Sequence, residues 1–226
     1  MVARKLCPAN GQNKTLNWQR VSAFVALILL IVLPTLAMAN EFMATGSYTG
    51  DGLESQTISG LGFEPGFVMI KTAAAKRSFA KTTAMPGDLS KNLAKNDALK
   101  SGYINSLNLD GFTVGNKAEV NELGVEYYWV AMMSRDGSLE IGEYTGDGAD
   151  FREIPLNNMY PVAGLIMSSE GELPVYRHKD MESLEGYALD GSGQVDNSFA
   201  YFGLNQFTIR TGNQVNKNGV TYYYIT

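Results

Sequence analysis

One histidine, one cysteine and a scatter of carboxylates are all that the sequence offers for proton transfer or nucleophilic attack. His178 lies in the run Tyr176-Arg177-His178-Lys179-Asp180, and Cys7 lies far before the apolar run of residues 21–33. Nucleophilic catalysis needs a nucleophile, a base and an orienting group within mutual reach. Neither Gly-x-Ser-x-Gly nor His-Glu-x-x-His occurs, so no catalytic residue is assigned and the chain is read as not an enzyme. Asp51 and Asp147 each stand between two glycines, with Asp150 close to the second. Two carboxyls across a cleft are what glycoside hydrolysis uses, and acidic loops can hold calcium. The loops lack the Asp-x-Asp-x-Asp-Gly alternation, so Asp51, Asp147 and Asp150 are weak calcium candidates. A turn-forming aspartate, bonded to its own backbone, is the favoured reading. No cofactor is expected.

Aromatic side chains carry the better binding case. Tyr127-Tyr128-Trp129 and Tyr222-Tyr223-Tyr224 are consecutive runs in strand-like segments. Successive side chains of a strand face opposite sides, so each run sends at least one ring outward or toward a neighbour. Rings set among a few polar groups are a common means of holding sugars or partner proteins. The alternative is that they fill a core and pair across strands. Lys81 and Arg177 add matched positive charge, suited to an anionic glycan or carboxylate, or to a structural ion pair. The candidate ligand-binding set is therefore Tyr48, Lys81, Tyr128, Trp129, Tyr144, Arg177, Tyr223 and Tyr224.

These residues recur because the sequence repeats. Gly46-Ser47-Tyr48-Thr49-Gly50-Asp51-Gly52 returns 96 positions later as Gly142-Glu143-Tyr144-Thr145-Gly146-Asp147-Gly148. At the same shift Ile58, Pro65, Lys81 and Met85 meet Ile154, Pro161, Arg177 and Met181. Farther on the shift becomes 95, with Phe112-Thr113-Val114 matching Phe207-Thr208-Ile209 and residues 120–128 matching 215–223. Fixed-period similarity in one order marks a duplicated unit. Each copy reads as six or seven short strands broken by Gly, Pro, Asn and Asp, which predicts an all-β protein of two closely packed antiparallel, jelly-roll-like sandwiches. Residues 121–124 read as a turn before the last strand, and residues 89–107 are the one stretch where a short helix competes. Ser134-Arg135-Asp136-Gly137 reads as a tight turn, which predicts that the last strand of copy one pairs with the first of copy two. The last strand of copy two, residues 220–226, is expected to offer an edge for self-association.

Residues 1–39 differ from the rest. They carry Arg4, Lys5, Lys14 and Arg20, no acid, and the apolar run 21–33 (VSAFVALILLIVL), followed by Pro34 and Ala37-Met38-Ala39. This predicts an export signal cleaved before Asn40, or else an uncleaved anchor as the only membrane contact. The expected organisation is signal 1–39, first β copy 40–136 and second β copy 137–226, located in the periplasm, at the cell surface or outside the cell. Cleavage takes the formal charge from −5 to about −9 and removes Cys7. The core must then hold without disulfides, and an acidic chain excludes nucleic acid as a partner.

The sequence also resembles a family of repeats found in exported bacterial proteins and in phage tail or tail-fibre proteins. The matching segments are Tyr48-Thr49-Gly50-Asp51-Gly52, Ile58 with Gly62-Phe63-Glu64-Pro65, and residues 68–71, 110–115 and 120–131. The second copy departs from the pattern at Asn158-Met159-Tyr160-Pro161 and at Tyr224-Ile225-Thr226. The resemblance implies a β fold and an extracellular setting, with no enzymatic activity. The resulting expectation is a recognition module for carbohydrate or another envelope component, such as a surface protein. The alternative is a structural subunit of a fibre or surface layer.

Overall fold

The computed structural model describes residues 42–181 and 186–226; the segment expected to be an export signal lies outside them. The first half contains β1 (Met43–Thr49), β2 (Gln56–Ser59), β3 (Phe67–Thr72), β4 (Phe79–Thr82), β5 (Lys91–Asn92), β6 (Ile104–Asn108), β7 (Gly111–Val114), the single-turn α1 (Ala118–Asn121) and β8 (Glu126–Met132). They form one sheet in the order β1-β8-β3-β4-β5 and a second in the order β2-β7-β6. The rest contains β9 (Ile141–Thr145), β10 (Arg152–Pro155), β11 (Ala163–Ser168), β12 (Val175–His178), β13 (Gly186–Ala188), β14 (Gln194–Val195), β15 (Phe199–Gly203), β16 (Gln206–Ile209), α2 (Asn213–Asn216) and β17 (Thr221–Ile225). Here the orders are β9-β17-β11-β12-β13-β14 and β10-β16-β15, so strand order in the second half follows that of the first. Every strand pairing is antiparallel, and the protein is all-β as expected.

Two-residue alternation explains how the layers stack. In β3, Val68 and Ile70 point into a core with Phe79, Phe112, Val114, Val120 and Tyr127, whereas Phe67 and Met69 point the other way. In β11 and β17, Ile166, Tyr222 and Tyr224 join the second core, while Leu165, Met167, Tyr223 and Ile225 turn away from it. The two outward sets meet. Phe67, Ala80, Met85 and Leu93 pack with Met167 and Tyr223 in a third core, a seam between the two large sheets. Each large side chain removed from water there contributes roughly 1.5–3 kcal/mol. Polar links cross the same seam: Leu99 N–H donates to Ser169 O at 3.1 Å, and Lys91 Nζ donates to Glu170 O at 2.7 Å.

Four sequence expectations are corrected. Strand β8 does not pair with β9, because both its edges are taken, by β1 and β3. Strand β17 offers no edge, since it lies between β11 and β9. Residues 89–107 form no helix: β5, the Ser90–Lys100 bridge and the start of β6 keep them extended, and Leu93 and Ile104 serve different cores. The only helical turns among the described residues are α1, which ends where the segment read as a turn begins, and α2, at the equivalent place in the second half; neither was expected.

Candidate functional site

The repeated residues build a repeated latch. Tyr127 Oη donates to Ala118 O at 2.6 Å and accepts from Glu122 N at 2.9 Å, clamping both ends of α1. Tyr222 does the same for α2, donating to Asn213 O at 2.6 Å and accepting from Lys217 N at 2.8 Å. Tyr48 donates to Val120 O at 2.6 Å and stacks on Tyr127; Tyr144 donates to Val215 O at 2.7 Å and stacks on Tyr222. Such a turn of four residues has no helical stability of its own, so the tyrosines supply it. Burial raises the phenol pKa of Tyr48 and Tyr144 well above the ordinary value and pushes Tyr222 up to about 12.

The Gly-Asp-Gly turns are the other half of this latch. Asn121, fully buried on α1, accepts from Asp51 N at 2.9 Å and donates to Asp51 Oδ1 at 3.0 Å and Leu53 O at 3.2 Å. Asn216 repeats the bracket on Asp147 and Ala149, with Arg152 Nη1 added at 3.2 Å. Asp51 and Asp147 each also accept from the backbone two residues on, the Asx turn expected of them. Ala149 N–H, with Asn216 and Arg152, holds the Asp147 carboxyl below its usual range. Asp150 pairs with Arg210 at 3.1 Å. These aspartates serve turns and ion pairs, and among the described residues no group of three or more His, Cys, Asp or Glu side chains comes together. A side chain at Gly50 or Gly146 would strike the carbonyl of Glu122 or Lys217, so both positions require glycine.

Most of the candidate ligand-binding residues are structural. Tyr48 is half-buried; Tyr144, Tyr223 and Tyr224 are buried, with Tyr224 donating to Glu140 Oε1 at 2.9 Å. Trp129 lies over Gly46 and edge-on to Phe112 in the first core, as Tyr224 lies over Gly142. Lys81 is buried and donates to the carbonyls of Gly87 at 2.8 Å and Leu89 at 2.7 Å, tying down the loop after β4; burial lowers its pKa. Arg177, its counterpart, reaches the carbonyl of Met181. Tyr128 is the exception, with half its surface exposed between Ser47 and Lys71.

A groove on the second half remains. Ala163, Leu165, Tyr176, His178 and Ile225 share one face of the β12-β11-β17 sheet and, with Leu139 and Thr226, line a cavity of about 360 Å³. Its floor is aliphatic, its wall is the exposed Tyr176 with Tyr187 beside it at 6.3 Å, and His178 and Thr226 stand at its margin. The repeat explains why the hollow lies here. Ala163 stands where the first copy has Phe67, whose ring fills the seam, and Tyr176 and His178 replace Ala80 and Thr82. The sequence signal for this hollow is the divergence of the two halves at this face, whereas the repeat itself shows only where they agree. A second hollow, of about 450 Å³, is lined by Lys71, Lys76, Arg77 and Leu189. There Lys71 Nζ is held by three loop carbonyls and Lys76 by Glu122.

The fold is all-β, and its second half carries a concave, largely apolar hollow. The family model of a domain of unknown function, DUF7483, matches residues 38–139, a stretch that takes in β1 to β8. No curated protein and no solved structure matches the chain.

Proposed function

We propose that the protein is an exported, non-catalytic recognition module that binds carbohydrate or another envelope component in the groove beside Tyr176. The observation that carries this reading is the exchange of Phe67 for Ala163 and of Ala80 for Tyr176 between equivalent faces, which leaves a hollow walled by an exposed aromatic ring. A tyrosine face beside aliphatic floor and a few hydrogen-bonding groups suits the apolar face and hydroxyl rim of a sugar ring. The basic, acid-free segment before Asn40 and the resemblance to tail-fibre-like repeats support an extracellular setting. The test is binding of the purified protein to glycan arrays and to isolated envelope polysaccharide. Ala163→Phe, which restores the first copy's residue, and Tyr176→Ala should each abolish binding while leaving the melting temperature near wild type. Binding that survives both substitutions would refute the assignment.

A further inference from the structure

Among the described residues β1 is the longest sheet edge without a charged side chain. In the ladder with β8, Phe42 O accepts from Met133 N and Gly50 N donates to Val125 O. The unbroken register between these points means that even-numbered residues of β1 face β8. Met43, Thr45, Ser47 and Thr49 therefore turn their N–H and C=O groups outward, and among the described residues no strand pairs with them. Their side chains are exposed as well. Residues 42–50 contain no charge, no proline and no bulge, the usual means by which an edge is kept from pairing. Of the other sheet edges, β5 and β14 have two residues each, β10 carries Arg152, Glu153 and Pro155, β6 and β15 are bulged, and β2, also uncharged, is only four residues long.

The instructive contrast is β9, which holds the same place in the second half. There Ile141, Glu143 and Thr145 face outward, because Glu140 and Thr226 exchange hydrogen bonds. If two β9 strands paired antiparallel over their whole length, Glu143 would stand directly opposite itself. Like charges so placed oppose pairing. Two β1 strands paired in the same way would set Met43 against Thr49 of the partner subunit and Thr45 against Ser47 of the partner subunit. Both pairings join outward-facing residues, and Thr–Ser is a favourable cross-strand pair. The strand is thus complementary to itself about a two-fold axis, in a molecule whose net negative charge opposes most other self-contacts.

We infer that β1 is a docking edge for β1 of a second copy of this chain, giving a two-fold dimer with one continuous sheet across both molecules. This goes beyond the groove and does not depend on it. The test is sedimentation equilibrium of the full chain, with Ser47→Glu, which installs the second half's residue, and Ser47→Pro, which removes an outward N–H that no internal bond uses. Wild type sediments as a dimer, and both variants sediment as monomers with unchanged circular dichroism. A wild-type monomer, or a dimer that persists in a folded Ser47→Glu variant, overturns the proposal.

Discussion

Replacing Asn121 by Asp should damage the fold far more than the same change at Asn216. The buried Asn121 amide nitrogen donates to Asp51 Oδ1 and Leu53 O at 3.0 and 3.2 Å. An aspartate puts an oxygen there, facing two acceptors. Loss of the two bonds costs about 1–1.5 kcal/mol each. Two carboxylates about 3 Å apart add up to ~5 kcal/mol at an effective dielectric constant near 20, reduced because Asp51 is partly exposed. A total of about 3–5 kcal/mol is expected, or a fall in Tm of roughly 8–15 °C for a chain of this size. At the second site Arg152 lies 3.2 Å from Asn216 Oδ1 and 3.3 Å from Asp147 Oδ2, so its guanidinium meets the new charge. There the cost should be about 1–2 kcal/mol. The added carboxyl of Asn121→Asp has a folded pKa raised above its unfolded value. Its penalty is therefore full at neutral pH and shrinks as pH falls through the folded pKa. Urea denaturation of both variants at neutral pH and near pH 4 measures this. Equal losses at the two sites, or a deficit at Asn121 that does not shrink in acid, would refute the reasoning.

The remaining predictions concern the seam, the latch and the groove. Burial pushes the Lys91 ammonium down to about 8 despite the attraction of Asp97 and Glu172. Between that pH and about 10.5 the unfolded chain binds more protons, so stability rises with pH, by on the order of 3 kcal/mol over the full window. Denaturation between pH 7.5 and 9.5, below tyrosine ionisation, should show the rise in wild type and a clearly shallower one in Lys91→Met, where only the buried Lys81 still contributes. Tyr127→Phe and Tyr222→Phe each strand a backbone carbonyl and N–H, costing about 1–3 kcal/mol. Because they lie in separate cores, the double variant should lose nearly the sum. Ala163→Phe, made to close the groove, should leave denaturant midpoints unchanged, which separates a blocked site from a damaged fold.

Much of this architecture was legible because turn and core residues carry the repeat. Gly50, Asp51 and Gly52 recur since the backbone there passes close to Glu122 O and needs an Asx turn, and those demands are local. What could not be read was which face of each large sheet would be covered. Alternation puts Tyr223 opposite Tyr222 and Tyr224 across the sheet, but only the packing of Phe67, Met85 and Met167 decides that Tyr223 meets protein rather than solvent. For the same reason the sequence alone does not separate the exposed Tyr128 and Tyr176 from the buried tyrosines. The one-turn helices escaped notice because four residues are too few to show a period. The pairing of β8 with β9 was expected from their proximity in sequence, and it failed because β1 closes back on β8 across the whole first copy.

The seam also fixes what a shorter relative of this chain would have to do. Phe67, Ala80, Met85 and Leu93 form an apolar wall that the second copy covers, yet all four belong to the stretch that the family model spans. A polypeptide carrying that stretch alone would expose the wall to water. To stay in solution it would have to recruit another molecule as a lid, or repaint the wall with polar side chains.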